Sequence, residues 1–289
     1  FAGGGIINIR STATFNDDAT IRAIITLFPT GTLTGSGNIL VEGTFNWLGG
    51  TQSGTGSTTV STNNTLNLVG LDIMTLSRQL TNTVAGTWSG GCLLLNGGQF
   101  ANAMGGSFTI TGQVEVVSAG GDGESFTNAG ELVLAPGSDS SFGENFSFVN
   151  TGTIVIESLV EFLEDETLFG SIELAAGGEI TGPGNIIFAD LFIWSGGSMT
   201  GTGSTTVADT GLLFLGDGNL LLSRTLSNLA VGGSWSGGCL FMSDGTFING
   251  PAASLDIFAN PQIDVVNAGG VNLFVNNGLI TVHTGEFVI

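Results

Sequence analysis

The sequence predicts an all-β protein, a parallel β-solenoid of about 12 coils in two tandem six-coil repeats. Three observations lead there. Long phrases recur at a fixed offset. A shorter, irregular period of similar order recurs inside each copy. The segments between the periodic positions alternate apolar and polar residues over four or five positions.

The long repeat comes first. "SGTGSTTV" (Ser53–Val60) returns as "TGTGSTTV" (Thr200–Val207), "TWSGGCLLL" (Thr87–Leu95) as "SWSGGCLFM" (Ser234–Met242), and "LTGSGNIL" (Leu33–Leu40) as "ITGPGNII" (Ile180–Ile187), each at an offset of 147. The chain therefore reads as two copies, residues 1–147 and 148–289, expected to form one continuous stack.

The shorter period is a mostly apolar residue, any residue, then Gly or Asn. In copy one it starts at Phe1, Leu33, Gln52, Leu80, Phe100 and Phe126. In copy two it starts at Phe148, Ile180, Met199, Leu226, Phe247 and Phe274. The third position reads Gly3, Gly35, Gly54, Asn82, Asn102 and Asn128, then Asn150, Gly182, Gly201, Asn228, Asn249 and Asn276. Gly and Asn tolerate positive φ, so a left-handed corner is expected at each. Variable spacing with conserved order describes a solenoid whose corners vary from coil to coil.

Between these positions "SFTIT" (Ser107–Thr111), "ELVLA" (Glu131–Ala135), "TIVIE" (Thr153–Glu157), "SLDIF" (Ser254–Phe258) and "LITVH" (Leu279–His283) alternate and favour β-branched residues. Gly-Gly, Asn-Gly and Asp-Gly pairs separate them. Only "SLVEFLEDETLF" (Ser158–Phe169) is ambiguous between strand and helix. Stacked coils place equivalent residues ~4.8 Å apart. Phe1, Phe100, Phe126, Phe148, Phe247 and Phe274 are thus candidates for an internal aromatic ladder. Asn82, Asn102, Asn128, Asn150, Asn228, Asn249 and Asn276 are candidates for a side-chain amide ladder at the corner. Twelve coils would extend roughly 60 Å.

Composition narrows the function. Four arginines and no lysine stand against 24 acids, a net charge of −20. Nucleic-acid binding needs cations to neutralise phosphates and is excluded on that ground. Anionic membranes and acidic polysaccharides are disfavoured for the same reason, which leaves copies of the chain itself, cations, neutral glycans and mineral surfaces as partners. No apolar run approaches the ~18 residues of a membrane span. Gly is 49 of 289 residues, more than twice the usual ~7%. The chain starts on Phe, in phase with the period, and ends on the strand-like "EFVI" (Glu286–Ile289). It reads as a processed product or an excised piece with open edges at both ends.

The runs "WLGGTQSGTGSTTV" (Trp47–Val60) and "WSGGSMTGTGSTTV" (Trp194–Val207), with the recurring Φ-x-N-x-G phrases, resemble those of bacterial extracellular β-strand-repeat proteins. These are large surface proteins of the autotransporter-passenger or filamentous-haemagglutinin kind. The resemblance covers essentially the whole chain. It implies a right-handed parallel β-helix, an extracellular or cell-surface location, and a role in adhesion, matrix or filaments without catalytic residues.

Each residue type that could carry chemistry here also has a packing role. The densest acids, "EFLEDE" (Glu161–Glu166), and their counterpart "TFNDD" (Thr14–Asp18) fall in the longest coil. They are expected on a loop or bulge, where Glu161, Glu164, Asp165 and Glu166 are the candidates for a Ca²⁺ site; a solvated acidic face is the simpler expectation. No other cofactor is implied. Arg78 ("LSRQL") and Arg224 ("LSRTL") occupy matching places, which suits a structural bond rather than a single active site. The lone His283 has no nucleophilic partner in a motif. Trp47, Trp88, Trp194 and Trp235 each precede x-Gly-Gly and are expected to pack rather than stack on sugars. Thr-rich "TGTGSTTV" invites ice binding, but that needs a Thr pair on successive coils, and this phrase recurs once per six coils. Cys92 and Cys239 lie six coils apart, beyond disulfide reach, and are expected to be free and buried or bonded between chains. Asn63 and Asn145 lie in N-x-[ST] sequons.

The sequence-based expectation is a non-catalytic structural filament or surface-fibre subunit that stacks head to tail through open β-edges. A passenger or stalk segment of a monomeric adhesin is the first alternative. A glycan-binding or glycan-cleaving β-helix enzyme, which requires a pair of acids in a cleft, is the second.

Overall fold

The computed structural model describes residues 5–61, 64–266 and 270–283. Phe1, Gly3, the sequon residue Asn63 and the "EFVI" terminus lie outside the described residues. Among the described residues every regular element is a strand, and the architecture is a parallel β-solenoid of about 13 turns. Each turn contributes one strand to each of three sheets, and strands pair in parallel with their counterparts one turn away. The ambiguous Ser158–Phe169 stretch is resolved as strands Leu159–Phe162 and Glu166–Leu168.

The chain divides into two compact units, Phe1–Gly152 and Thr153–Ile289. In the first, the third sheet has seven strands, from Ala19–Ile21 to Ser147–Asn150. In the second, it has six, from Glu166–Leu168 to Leu273–Asn276.

The fold follows from alternation. Along Ser107–Ile110 the pattern is half-buried, buried, half-buried, buried, and the same two-residue period runs through most strands. Phe108, Leu132, Ile154, Ile172 and Phe192 are all at most 3% exposed. Each fully buried side chain of this size stabilises the fold by ~1.5–3 kcal/mol. With only four positive charges in the chain, this interior burial carries the stability.

The register corrects the coil count. Ile7 pairs with Ile25, 18 residues on, and Phe108 with Leu132, 24 residues on. The 147-residue period therefore spans seven turns, not six. The short-period positions belong to two different frames. Leu33 pairs with Gln52 and Gln52 with Leu76 in the second sheet, whereas Leu80 pairs with Thr58 and Phe100 in the third. Ile180 and Met199 likewise pair in the second sheet, and Leu226 with Phe247 in the third. The 32-residue spacing from Phe148, on a strand of the third sheet, to Ile180, on the second, hides an extra turn behind this change of frame.

The same distinction corrects the corner rule. Gly35, Gly54, Gly182 and Gly201 do take positive φ, at 121°, 88°, 108° and 84°. A Cβ on Gly35 would also stand 2.0 Å from the Phe15 carbonyl oxygen of the previous turn. Among the described non-glycine residues, by contrast, only Asn145 and Asp244 have positive φ. The seven ladder asparagines end their strands in ordinary β backbone, and their side chains, not their φ angles, explain them.

Candidate functional site: inner ladders, corner arginines and the acidic turn

The third sheet carries the ladders. In the first unit Asn82 Nδ2 donates to Asn102 Oδ1 at 2.9 Å, Asn102 to Asn128 at 2.8 Å, and Asn128 to Asn150 at 2.7 Å. In the second, Asn228 donates to Asn249 at 2.9 Å and Asn249 to Asn276 at 2.8 Å. All except Asn276 are at most 1% exposed, and Asn276, on the outermost described strand of its sheet, is exposed. The second amide hydrogen ties down the corner: Asn82 donates to Val84 O at 2.8 Å and Asn102 to Glu131 O at 2.9 Å. These bonds satisfy polar groups that the turning backbone cannot pair for itself. Asn82 pairs with Val60, which offers no donor, and Asn82 Oδ1 has no partner.

Two positions earlier on the same strands the aromatic rings stack. Phe100 and Phe126 lie 4.7 Å apart between centroids, Phe126 and Phe148 5.7 Å, and Phe247 and Phe274 5.1 Å at an interplanar angle of 4°. Such aromatic pairs add ~0.5–1.5 kcal/mol beyond burial.

A different device holds the corner between the second and third sheets. Asp18 Oδ1 accepts from Asn38 N at 2.8 Å, and Asn38 Oδ1 accepts from Ser57 N and Oγ. One turn further on, the Arg78 guanidinium donates to the carbonyls of Gly56, Ser53, Gly37 and Ser57 at 2.8–3.2 Å. The second unit makes the same arrangement with Asp165, Asn185 and Ser204. Arg224 then donates to the carbonyls of Gly203, Gly184 and Ser204. Both arginines are buried, at 3% and 4% exposure. Burial lowers both pKa values, that of Arg224 to about 10. The carbonyl fork replaces the water each cation loses. Arg224 Nη1 alone has no partner.

The acidic stretch is not a bulge. Glu161 sits on a strand, Glu164 and Asp165 form part of a short corner, and Glu166 opens the next strand. Among the described residues no three His, Cys, Asp or Glu side chains come together to hold a metal ion. Burial, then the charges of Glu164 and Asp165, push Glu166 up from 4.5 to about 7. Unfolded, this carboxyl loses its proton near 4.5; folded, it keeps it until about 7. Stability therefore falls as pH rises through that window. Glu166→Gln is expected to raise the melting temperature at pH 7.5 and to leave it nearly unchanged at pH 4. A variant that shifts equally at both pH values would refute the assignment.

The remaining candidates pack. All four tryptophans are 0% exposed. The indoles of Trp47, Trp88 and Trp235 donate to the carbonyls of Gly49, Gly90 and Gly237, which explains the x-Gly-Gly that follows each. Cys92 and Cys239 are free, but half-buried on the outer face rather than buried. Burial, then Glu115 beside it in register, raises Cys92 to about 11. His283 Nε2 lies 3.2 Å from Asp256 Oδ1, and its ring stacks on Phe258 at 4.7 Å. Arg22 pairs with Glu42 at 2.7 Å, and Arg10 lies 3.6 Å over the Phe28 ring. The sequon residue Asn145 is exposed at a corner.

Gln52 was missed as a polar core residue. It is 0% exposed and neither amide atom has a hydrogen-bond partner. Met199 occupies the matching place in the second copy, also at 0% exposure. Gln52→Met is expected to stabilise the protein by ~1–3 kcal/mol, because an unsatisfied buried amide is replaced by a thioether of similar length. A urea midpoint unchanged or lowered would show that the amide is satisfied in solution.

A recess of about 420 Å³ beside Arg78 is lined by Asn38, Gly54, Gln79 and Gln99 among others, with no carboxylate. A second, of about 340 Å³, includes Asp18 as its single acid. Neither holds the acid pair that glycoside hydrolysis needs. The fold and these ladders define the class: a parallel β-solenoid protein. Comparison with family models, curated proteins and solved structures gives no match.

Proposed function

We propose that the chain is a non-catalytic structural solenoid, a subunit of an extracellular or cell-surface fibre that lengthens by adding turns head to tail. One observation carries this reading. Phe247, Leu255 and Leu240 are 0% exposed, while their register partners one turn on, Phe274, Ile280 and Ile263, are half-buried. The outermost described strands thus carry inward-facing apolar residues that a further turn would cover. A second copy supplies such a turn through a heterologous contact, which propagates when it does not close. The Trp47–Val60 and Trp194–Val207 runs support the extracellular placement, through their resemblance to bacterial surface repeat proteins. The net charge of −20 leaves neutral glycans or surfaces as further partners.

Negative-stain electron microscopy of the full native polypeptide tests this. Fibres longer than one molecule are expected, and Phe274→Asp should shorten them. Uniform single particles at all concentrations would sink the fibre. They would favour instead the passenger or stalk segment of a monomeric adhesin, which the same surface-protein resemblance supports.

A further inference from the structure

The outer face of the second sheet in the first unit carries a feature that the fibre does not use. Strand Thr12–Thr14 reads T-A-T and pairs with Thr32–Thr34, T-L-T. Thr32 pairs with Thr51, and Thr51 with Thr75. The Ser53 amide bonds to Leu33 O and the Ser77 amide to Gln52 O, so Ser53 and Ser77 continue the row of Thr14 and Thr34. Between the two rows Leu33, Gln52 and Leu76 point inward at 0% exposure. Four successive turns therefore present T-x-T, T-x-T, T-x-S and T-x-S on one surface. Thr12 and Thr14 are exposed and the other six residues half-buried. The rows run ~4.8 Å apart between turns and ~6.6 Å apart along the strand.

The array is uncharged in a chain with 24 acids. The matching strands of the second unit are not kept clear: there Leu159 pairs with Glu179, and Glu161 with Thr181. Thr200 Oγ1 in that unit donates to Glu179 Oε1 at 2.5 Å. In the first unit the array's own contact joins two hydroxyls, Ser53 Oγ donating to Thr34 Oγ1 at 3.0 Å. A two-row grid of hydroxyls and methyls at sheet spacing is complementary to a neutral, periodic surface. Aromatic platforms, which hold sugar rings, are missing from these strands, and all four tryptophans lie in the core. That favours an ordered water lattice over a polysaccharide crystal.

We propose that Thr12, Thr14, Thr32, Thr34, Thr51, Ser53, Thr75 and Ser77 form an ice-binding face. The Thr-rich phrase Thr200–Val207 plays no part in it; the pairs on successive turns lie in a different frame. The test is partition of the fluorescently labelled full chain into a slowly grown ice hemisphere, with thermal hysteresis read in parallel. The wild type is expected to enter the ice. Thr32→Lys/Thr51→Lys should be excluded from it while its melting curve is unchanged, and Leu221→Lys, on the matching sheet of the second unit, should enter as the wild type does. If the lysine pair destabilises the fold, Thr32→Val/Thr51→Val keeps the shape, removes two hydroxyls and should lower the hysteresis. Exclusion of the wild type from ice, or entry of the folded lysine variant, would overturn the proposal. So would binding to crystalline cellulose or chitin that the array variants abolish while ice partition persists.

Discussion

Asn102→Asp is expected to destabilise the first unit by ~4 kcal/mol at neutral pH, the largest effect of any isosteric change in the chain. The asparagine donates to Asn128 Oδ1 and to the Glu131 carbonyl, and accepts from Asn82 Nδ2. A carboxylate keeps the acceptor and loses both donors, so two oxygens face two oxygens in a site 1% exposed to solvent. Each buried group left unsatisfied costs ~1–3 kcal/mol, and the buried charge adds to that. Asn102→Ala removes the same bonds without the charge and should cost ~3 kcal/mol. Acidification should restore part of the loss in the aspartate variant, because a protonated carboxyl can donate once. Urea unfolding of the three proteins at pH 7 and pH 4 measures the difference. If the aspartate variant stays within ~1 kcal/mol of wild type, the amide ladder is a by-product of packing and not a support of the corner.

Arg78→Met is the second large effect, a loss of ~3 kcal/mol or more. Methionine fills the space of the stem but leaves the carbonyls of Gly37, Ser53, Gly56 and Ser57 without the donor that joins three turns. Arg78→Lys should rescue little, since a single ammonium cannot reach carbonyls arranged around a planar fork. Arg224→Met should cost less than Arg78→Met. Arg224 has one nitrogen, Nη1, already without a partner, so part of its burial is uncompensated in the native state. Equal urea midpoints for the two methionine variants would mean that the orphaned carbonyls recruit water and that the fork contributes little.

Much of this was legible in the sequence, for reasons that can be named. Alternation at "TIVIE" and "ELVLA" fixes which side chains point inward, because a strand has a period of two. The ladder asparagines and phenylalanines were visible because stacking sets like on like, so Phe100, Phe126 and Phe148 recur in order. The count of turns was not legible. Gly35 and Asn82 look interchangeable as residues tolerant of positive φ, yet one turns a corner after the second sheet and the other caps a strand of the third. Only the pairing of Gln52 with Leu33 and Leu76, rather than with Leu80, separates them. The hydroxyl array was hidden by the same confusion of frames. Gln52 was signalled only by its place among the short-period positions: a polar residue there looks like a break in the apolar pattern, not a member of the core.

The amide ladder has a sense as well as a position. Every bond between ladder asparagines runs from Nδ2 on the lower-numbered turn to Oδ1 on the higher one, in both units. The column is a vector, with acceptors facing one way and donors the other. A dyad-related joint between two Asn276 ends would bring donor against donor, and an orphaned amide would weaken it. A lattice that prolongs the column from Asn276 is therefore expected to join unlike tips, and a blocking peptide that arrests one tip should leave the other untouched.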